Sequence, residues 1–234
     1  MKNPKLDWHN PIASTYHDTI RQKIIGYDHI YDIMTDILHS YSTIDSILIV
    51  GAGGGQELCT LGKAFPFTRF TAVDTSKIML QLAQNLMKEV DSSPCIEWYE
   101  GDLRSLVFNH PFEVASCHLV LHFIEGLEQK KALLQKTADS LKDNGMLFIS
   151  SINTDMSSTA FPLQLKYWRS TMLQNGLSED QWLHFEQSFG STTYPIKLQL
   201  LTDLLHEVGF STVIPYFKSH MVDAIVAIKE ETRI

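Results

Sequence analysis

Apolar positions change their spacing from one segment of the chain to the next, and those changes mark its elements. Between residues 12 and 40, Ile20, Ile24, Ile30, Ile33, Met34 and Ile37 recur at helical spacing. They predict two amphipathic helices broken near Gly26. The next apolar run, SILIVG from Ser46, is short, β-branched and continuous, as in a parallel strand buried on both faces. The helical segment QELCTLGKAF follows it. Then the pattern repeats. RFTAVD predicts a strand, and SKIMLQLAQNLMKEV predicts an amphipathic helix with Thr75 or Ser76 as its N-cap. CIEWYEGD alternates like a strand, and FEVASCHLVLHF reads as a strand running into a loop. QKKALLQKTADSLKD predicts a helix ended by Asn144-Gly145, and MLFISSIN a fifth strand.

Strands and helices alternating at this rhythm predict an α/β fold of parallel β-α-β units with right-handed crossovers. The rhythm stops near residue 155. Residues 155–190 carry Phe161, Tyr167, Trp168, Trp182, Phe185 and Phe189 at helix-like spacing and no strand pattern, which predicts a helical insertion. Beyond it, KLQLLTDLLHEVGF predicts a helix stopped by Gly209. STVIPYFKSHMVDAIVAIKE predicts two strands joined near 218–221, an antiparallel hairpin closing the sheet. The expected architecture is a Rossmann-like three-layer sandwich with a mostly parallel seven-stranded sheet. No repeat or linker divides the chain, so residues 1–234 are expected to form one domain. Within it, 1–42 would be an N-terminal helical cap and 155–190 a helical lid.

Composition changes this picture little. A 44% hydrophobic fraction with 20% charged residues supports a substantial core. Nineteen basic and 27 acidic residues leave a net charge of -8, which argues against bulk nucleic-acid binding by counterion release. A tRNA partner stays open on a local basic groove but is not favoured. Cys59, Cys95 and Cys117 form no CxxC pair and are expected to be buried free thiols in a reducing compartment. No metal site follows from their spacing. The opening MKNPKLDWHNPIAST lacks the apolar run of a signal peptide, and no run of eighteen apolar residues predicts a membrane span. A cytoplasmic protein is expected, with monomer and dimer both open.

The chemistry concentrates where the first strand ends. Gly51-Ala52-Gly53-Gly54-Gly55 lets the backbone turn sharply and lets a ligand approach the main chain and a helix N-terminus. Asp74, at the end of the second strand, is placed to hold the two hydroxyls of a ribose. Together they predict a nucleoside-containing ligand. The dinucleotide fingerprint wants a glycine where Gln56 stands, and Glu57 behind it would repel a pyrophosphate while tolerating a cationic sulfonium. An NAD-binding oxidoreductase is therefore the less favoured reading.

At this point the chain resembles a known family. VGAGGGQE, AVDTSKIML and EGDL at 100–103 resemble the first three motifs of class I S-adenosylmethionine-dependent methyltransferases, and ASCHLVLHFIE is similar to their fourth-strand motif. RQKIIGYDHIYDIM and GFSTVIPYFKSHMVDAIVAIK look like the branch holding carboxy-S-adenosylmethionine synthases, which act in tRNA uridine modification, and related small-molecule methyltransferases. The resemblance implies S-adenosyl-L-methionine as cofactor. Gly51, Ala52, Gly53 and Gly55 would lie under its methionine part, and Asp74 would hold its ribose. Thr75 and Met79 would line the adenine, Asp102 would accept from the adenine amino group, and the Leu103 backbone would face the ring. His118 and Leu119 would sit near the sulfonium. Tyr16 and Arg21 would close over the ligand, with Arg21 on the methionine carboxylate. The carboxy-cofactor relatives use an arginine in the helix before GF, where LTDLLHEVGF places Leu204, which favours the ordinary cofactor.

Methyl transfer is an in-line displacement at a carbon already activated by its leaving group, so alignment and water exclusion carry most of the catalysis. Should the acceptor need deprotonation, His122 and Glu125, just past the fourth strand, are the candidate bases. Taken alone, a His at a strand end is more often structural, and an Arg on an amphipathic helix more often a solvated face. Tyr167, Trp168 and Trp182 are candidates for aromatic walls of a small-molecule acceptor pocket, against the simpler reading that they pack the lid on the sheet. A tRNA-modifying enzyme of the same fold is the alternative.

Overall fold

The computed structural model describes residues 16–41, 43–90 and 94–231, with the backbone alone for 16–18. Seven strands form one sheet: β1 (Ser46–Val50), β2 (Arg69–Asp74), β3 (Cys95–Glu100), β4 (Phe112–His118), β5 (Leu141–Ile152), β6 (Phe210–Ser219) and β7 (Val222–Lys229). Their order is β3-β2-β1-β4-β5-β7-β6. The first five pair in parallel, while β7 lies antiparallel between β5 and β6. This is the Rossmann-like α/β sandwich expected, closed by the expected hairpin. All five residues of β1 are buried, which is why its sequence is continuous rather than alternating.

The period of two along each strand sorts the core into layers. Leu48, Ala115, Leu147 and Ile225 face helices α5 (Leu127–Asp139) and α8 (Leu198–Glu207) on one side. Ile47, Val114 and Phe148 face the other, beneath α2 (His29–His39), α3 (Gln56–Ala64) and α4 (Lys77–Lys88). Ser76, not Thr75, caps α4, accepting from Met79 N. A third cluster joins α1 (Tyr16–Lys23) to α6 (Phe161–Gln174) and α7 (Glu179–Ser188) through Ile20, Ile24, Met172 and Trp182. Gly26, at φ 72°, turns α1 into α2.

Two expectations are corrected. The helix before β5 ends at Asp139, not at Asn144-Gly145. Asn144 takes the left-handed conformation, φ 61°, inside the start of β5, where the chain kinks against Phe112–Val114 and the register shifts. All three cysteines are free, but Cys117 alone is buried: Cys95 opens the exposed end of β3 and Cys59 is half-buried. No helix among the described residues is long and apolar enough to cross a membrane.

Candidate functional site

The glycine loop is built by its neighbours. Gly51 N and Ala52 N both donate to Val73 O (2.8 and 3.0 Å), which ties the loop to the end of β2. Gly51 sits at φ 75°, and a Cβ there would run into Val120. Gly55, at φ 89°, starts α3 so close to α4 that a Cβ would meet Ala83 Cα at 2.8 Å. Both positions need glycine for conformation and for space. Asp74 closes the arrangement: Oδ2 accepts from Gly53 N at 2.9 Å and Oδ1 from Ser76 N at 2.8 Å.

Above the carboxyl ends of β1, β2 and β4 lies a cavity of about 480 Å³, where open parallel sheets bind ligands. Gly51, Gly53, Asp74, Thr75 and Met79 line one part of it, with Asp102 and Leu103 from the turn after β3. Arg104 holds the Asp102 carboxylate through Nη2 (2.5 Å) and Nε, keeping its pKa below the usual carboxylate range. His118, Leu119 and Glu125 border the same cavity. Leu119 has φ 57°, a left-handed conformation rare for a branched residue and the kind of strain that collects at functional sites.

Other expected site residues lie elsewhere. Ala52 and Gly55 support the loop from behind, and Ala52 is packed in the core beneath α3. Arg21 stands outside the cavity, donating to both Asp28 oxygens at 2.8 Å and to Gln56 Oε1 at 2.8 Å. Tyr16 opens α1, and its side chain lies outside the described residues. His122 is buried behind the wall, where Ile152 N approaches its Nδ1 at 3.4 Å. Burial, aided by nearby Lys130, lowers its pKa to about 3. The aromatic residues of the insertion are not brought to the cavity. Trp168 and Trp182 are each 1% exposed in the third core cluster, with Trp168 Nε1 donating to Lys23 O at 2.7 Å, and Tyr167 faces solvent. The amphipathic spacing that suggested pocket walls is satisfied by packing against α1.

The cavity is also lined by residues the sequence pattern did not single out: Phe123, Ile124, Ser191, Thr192 and Tyr194. The only signal for the second group was a small-polar turn, GSTTYP, between two helices. Lys130 of α5 clips both groups together. Its buried ammonium donates to Leu121 O, Ile124 O and Tyr194 O at 2.6, 2.7 and 2.8 Å, and Tyr194 N donates to His122 O at 2.7 Å. Desolvation brings the Lys130 pKa down to about 8.

Beneath the loop lies a buried polar group, of which the sequence pattern marked Glu57 but not Ser116 or Tyr216. Glu57 is 5% exposed, and burial pushes its pKa up to about 7 despite the Ser116 hydroxyl beside it. Among the described residues, Glu57 Oε1, Ser116 Oγ, His118 Nε2 and Tyr216 Oη find no hydrogen-bond partner. His118 Nδ1 lies 3.1 Å from Ser150 Oγ, and burial lowers the His118 pKa to about 3.

A family model described as a methyltransferase domain matches residues 48–147. A carboxy-S-adenosyl-L-methionine synthase of Nitratiruptor sp. is 23% identical over 229 residues, covering 97% of this chain and 94% of its own. A malonyl-[acyl-carrier protein] O-methyltransferase of Halalkalibacterium halodurans is 31% identical over 114 residues, 47% of this chain and 40% of its own. Among solved structures, magnesium protoporphyrin IX methyltransferase from Synechocystis with bound SAH superposes with a TM-score of 0.69 at 15% identity, covering 95% of this chain and 96% of that one.

Proposed function

We propose that the chain is a class I S-adenosylmethionine-dependent methyltransferase that methylates a small-molecule acceptor held between Phe123, Glu125 and Tyr194. The observation that carries the reading is the glycine cradle. Loop residues that a Cβ would displace, and an Asp74 carboxylate already aligned by Gly53 N and Ser76 N, fit a ribose and an amino-acid tail lying along the main chain. Asp74 would hold the ribose, and Thr75, Met79, Asp102 and Leu103 the adenine. Gly51, Gly53, His118 and Leu119 would border the methionine end. The cofactor supplies an activated methyl group; the chain's own part is to align the acceptor and keep water out.

Glu125 is the better placed of the two candidate bases, because it lines the cavity while His122 is buried and held neutral. The insertion and the cap would act as one lid: Trp168 of α6 and Asn175 at its C-cap donate to Lys23 O and Gln22 O at the end of α1. On this reading residues 1–234 work as a single domain in the cytoplasm.

Full-length similarity to carboxy-S-adenosylmethionine synthases favours a second reading, use of a carboxylated cofactor. That ligand needs a cation. Leu204 is buried in the core under α8, and Arg104, among the described lining residues the sole Lys or Arg, is held by Asp102. Ordinary methyl transfer remains the reading argued for. Parallel calorimetric titrations with S-adenosylmethionine, S-adenosylhomocysteine and NAD test it: micromolar binding of the first two and none of NAD is expected, and binding of NAD alone would overturn it.

A further inference from the structure

Glu57 lies in the first turn of α3, directly after the glycine loop, and turns its carboxyl inward. Ser116 of β4 stands beside it. Tyr216 reaches the same spot from β6 across Phe148, their ring centroids 5.9 Å apart. Ser116 and His118 share one face of β4, about 7 Å apart at strand spacing, and His118 borders the cavity. The carboxyl is therefore one strand step removed from the reacting end of the site, with four orphaned polar atoms between and around the two.

Among the described residues, the groups felt by Glu57 are the Ser116 hydroxyl, the Cys117 thiol and the Tyr216 phenol, and none of them is a cation. Arg21, which bonds the adjacent Gln56, is already paired with Asp28. A buried carboxyl without a cation resists ionising, and any positive charge brought near it changes that balance. S-adenosylmethionine carries one more positive charge than S-adenosylhomocysteine, at the sulfur.

We propose that Glu57 is a charge gauge beneath the site: it releases its proton to solvent when the sulfonium form occupies the cavity and retains it with the neutral thioether product, so the site holds the donor more tightly than the spent cofactor. This rests on the methyltransferase reading above. Only a proton moves; no bond to the cofactor forms or breaks. For unit charges about 10 Å apart at an effective dielectric near 20, the preference amounts to roughly tenfold in affinity. With its pKa near 7, Glu57 is poised so that a field of this size changes its protonation at neutral pH.

The test measures the dissociation constants of both ligands by calorimetry at pH 6 and pH 8, for the wild-type protein and for Glu57→Gln. The expected result is a donor-over-product preference that rises severalfold with pH in the wild type and stays flat in the variant, which also corrects for titration of the ligands' own amino groups. A wild-type ratio that does not change with pH, or a variant that keeps the wild-type rise, overturns the proposal. Should Glu57→Gln fail to fold, infrared difference spectra of the wild type decide. Loss of a protonated-carboxyl band on adding S-adenosylmethionine but not S-adenosylhomocysteine supports the gauge, and equal responses overturn it. Binding of both ligands with no such difference removes the gauge and leaves the methyltransferase reading standing; binding of neither removes both.

Discussion

Gly51 and Asp74 show how far single residues control the site. At Gly51 a side chain is excluded twice, by φ 75° and by the Val120 methyl that occupies the space of a Cβ. Gly51→Ala is expected to cost about 1–3 kcal/mol in denaturant unfolding. It should also weaken cofactor binding at least tenfold, roughly, if the loop must move to make room. Wild-type stability in this variant would show that the loop is not held in the conformation seen. Asp74 receives two main-chain hydrogen bonds from the loop and the α4 cap, so Asp74→Ala removes a brace along with the proposed ribose ligand. The expected loss is about 1–3 kcal/mol in cofactor affinity. Undiminished binding by calorimetry would place the ribose elsewhere. Both positions were legible in the sequence, because glycines after a buried strand and an acid ending the next strand have local causes. Leu119 was legible only through its family resemblance: nothing local marks a leucine for φ 57°.

At the scale of elements, the part of the cavity lined by Ile124 and Tyr194 is braced by Lys130 from outside the ligand space. One ammonium joins the turn after β4, the segment 191–194 and α5 by three carbonyl contacts. Lys130→Met keeps the length and apolar stem but leaves those carbonyls short of a donor, an expected cost of roughly 2 kcal/mol. Hydrogen exchange should rise in 119–126 and 188–196 and stay unchanged in the glycine loop. Uniform acceleration across the protein would mean that Lys130 stabilises the fold as a whole instead of this wall. The sequence could not announce this element. A Lys in an amphipathic helix reads as a solvated position, and the clip joins residues 64 apart, a separation no local pattern encodes. The same reason hides the true role of Trp168 and Trp182. Their helical period was visible, but whether it faced ligand or α1 was decided by tertiary packing.

The molecule as a whole should carry the signature of its buried titratable groups in its stability against pH. Glu57 has its pKa raised from 4.5 to about 7 in the fold, so across roughly pH 4.5–7 the native state keeps a proton the unfolded chain has lost. Its contribution is present at low pH and is lost as pH rises through that window. His118 and His122 behave oppositely. Their pKa values fall from 6.5 to about 3, so the unfolded chain binds two protons that the fold refuses, and stability falls as pH drops below 6.5. Between about pH 4.5 and 6.5 these three groups leave the unfolded state one proton ahead, so stability rises with pH at the slope of a single proton. Glu57→Gln removes the opposing proton. Its unfolding free energy should therefore rise about twice as steeply over that interval, while below pH 4.5, where both states of Glu57 are protonated, the two proteins should run parallel. Denaturant midpoints at pH 4, 5, 6 and 7 read this directly. An unchanged slope in the variant would mean that Glu57 ionises in the fold as freely as in water, and the interior beneath the glycine loop would then have to be wetter than its orphaned Ser116 and Tyr216 hydroxyls indicate.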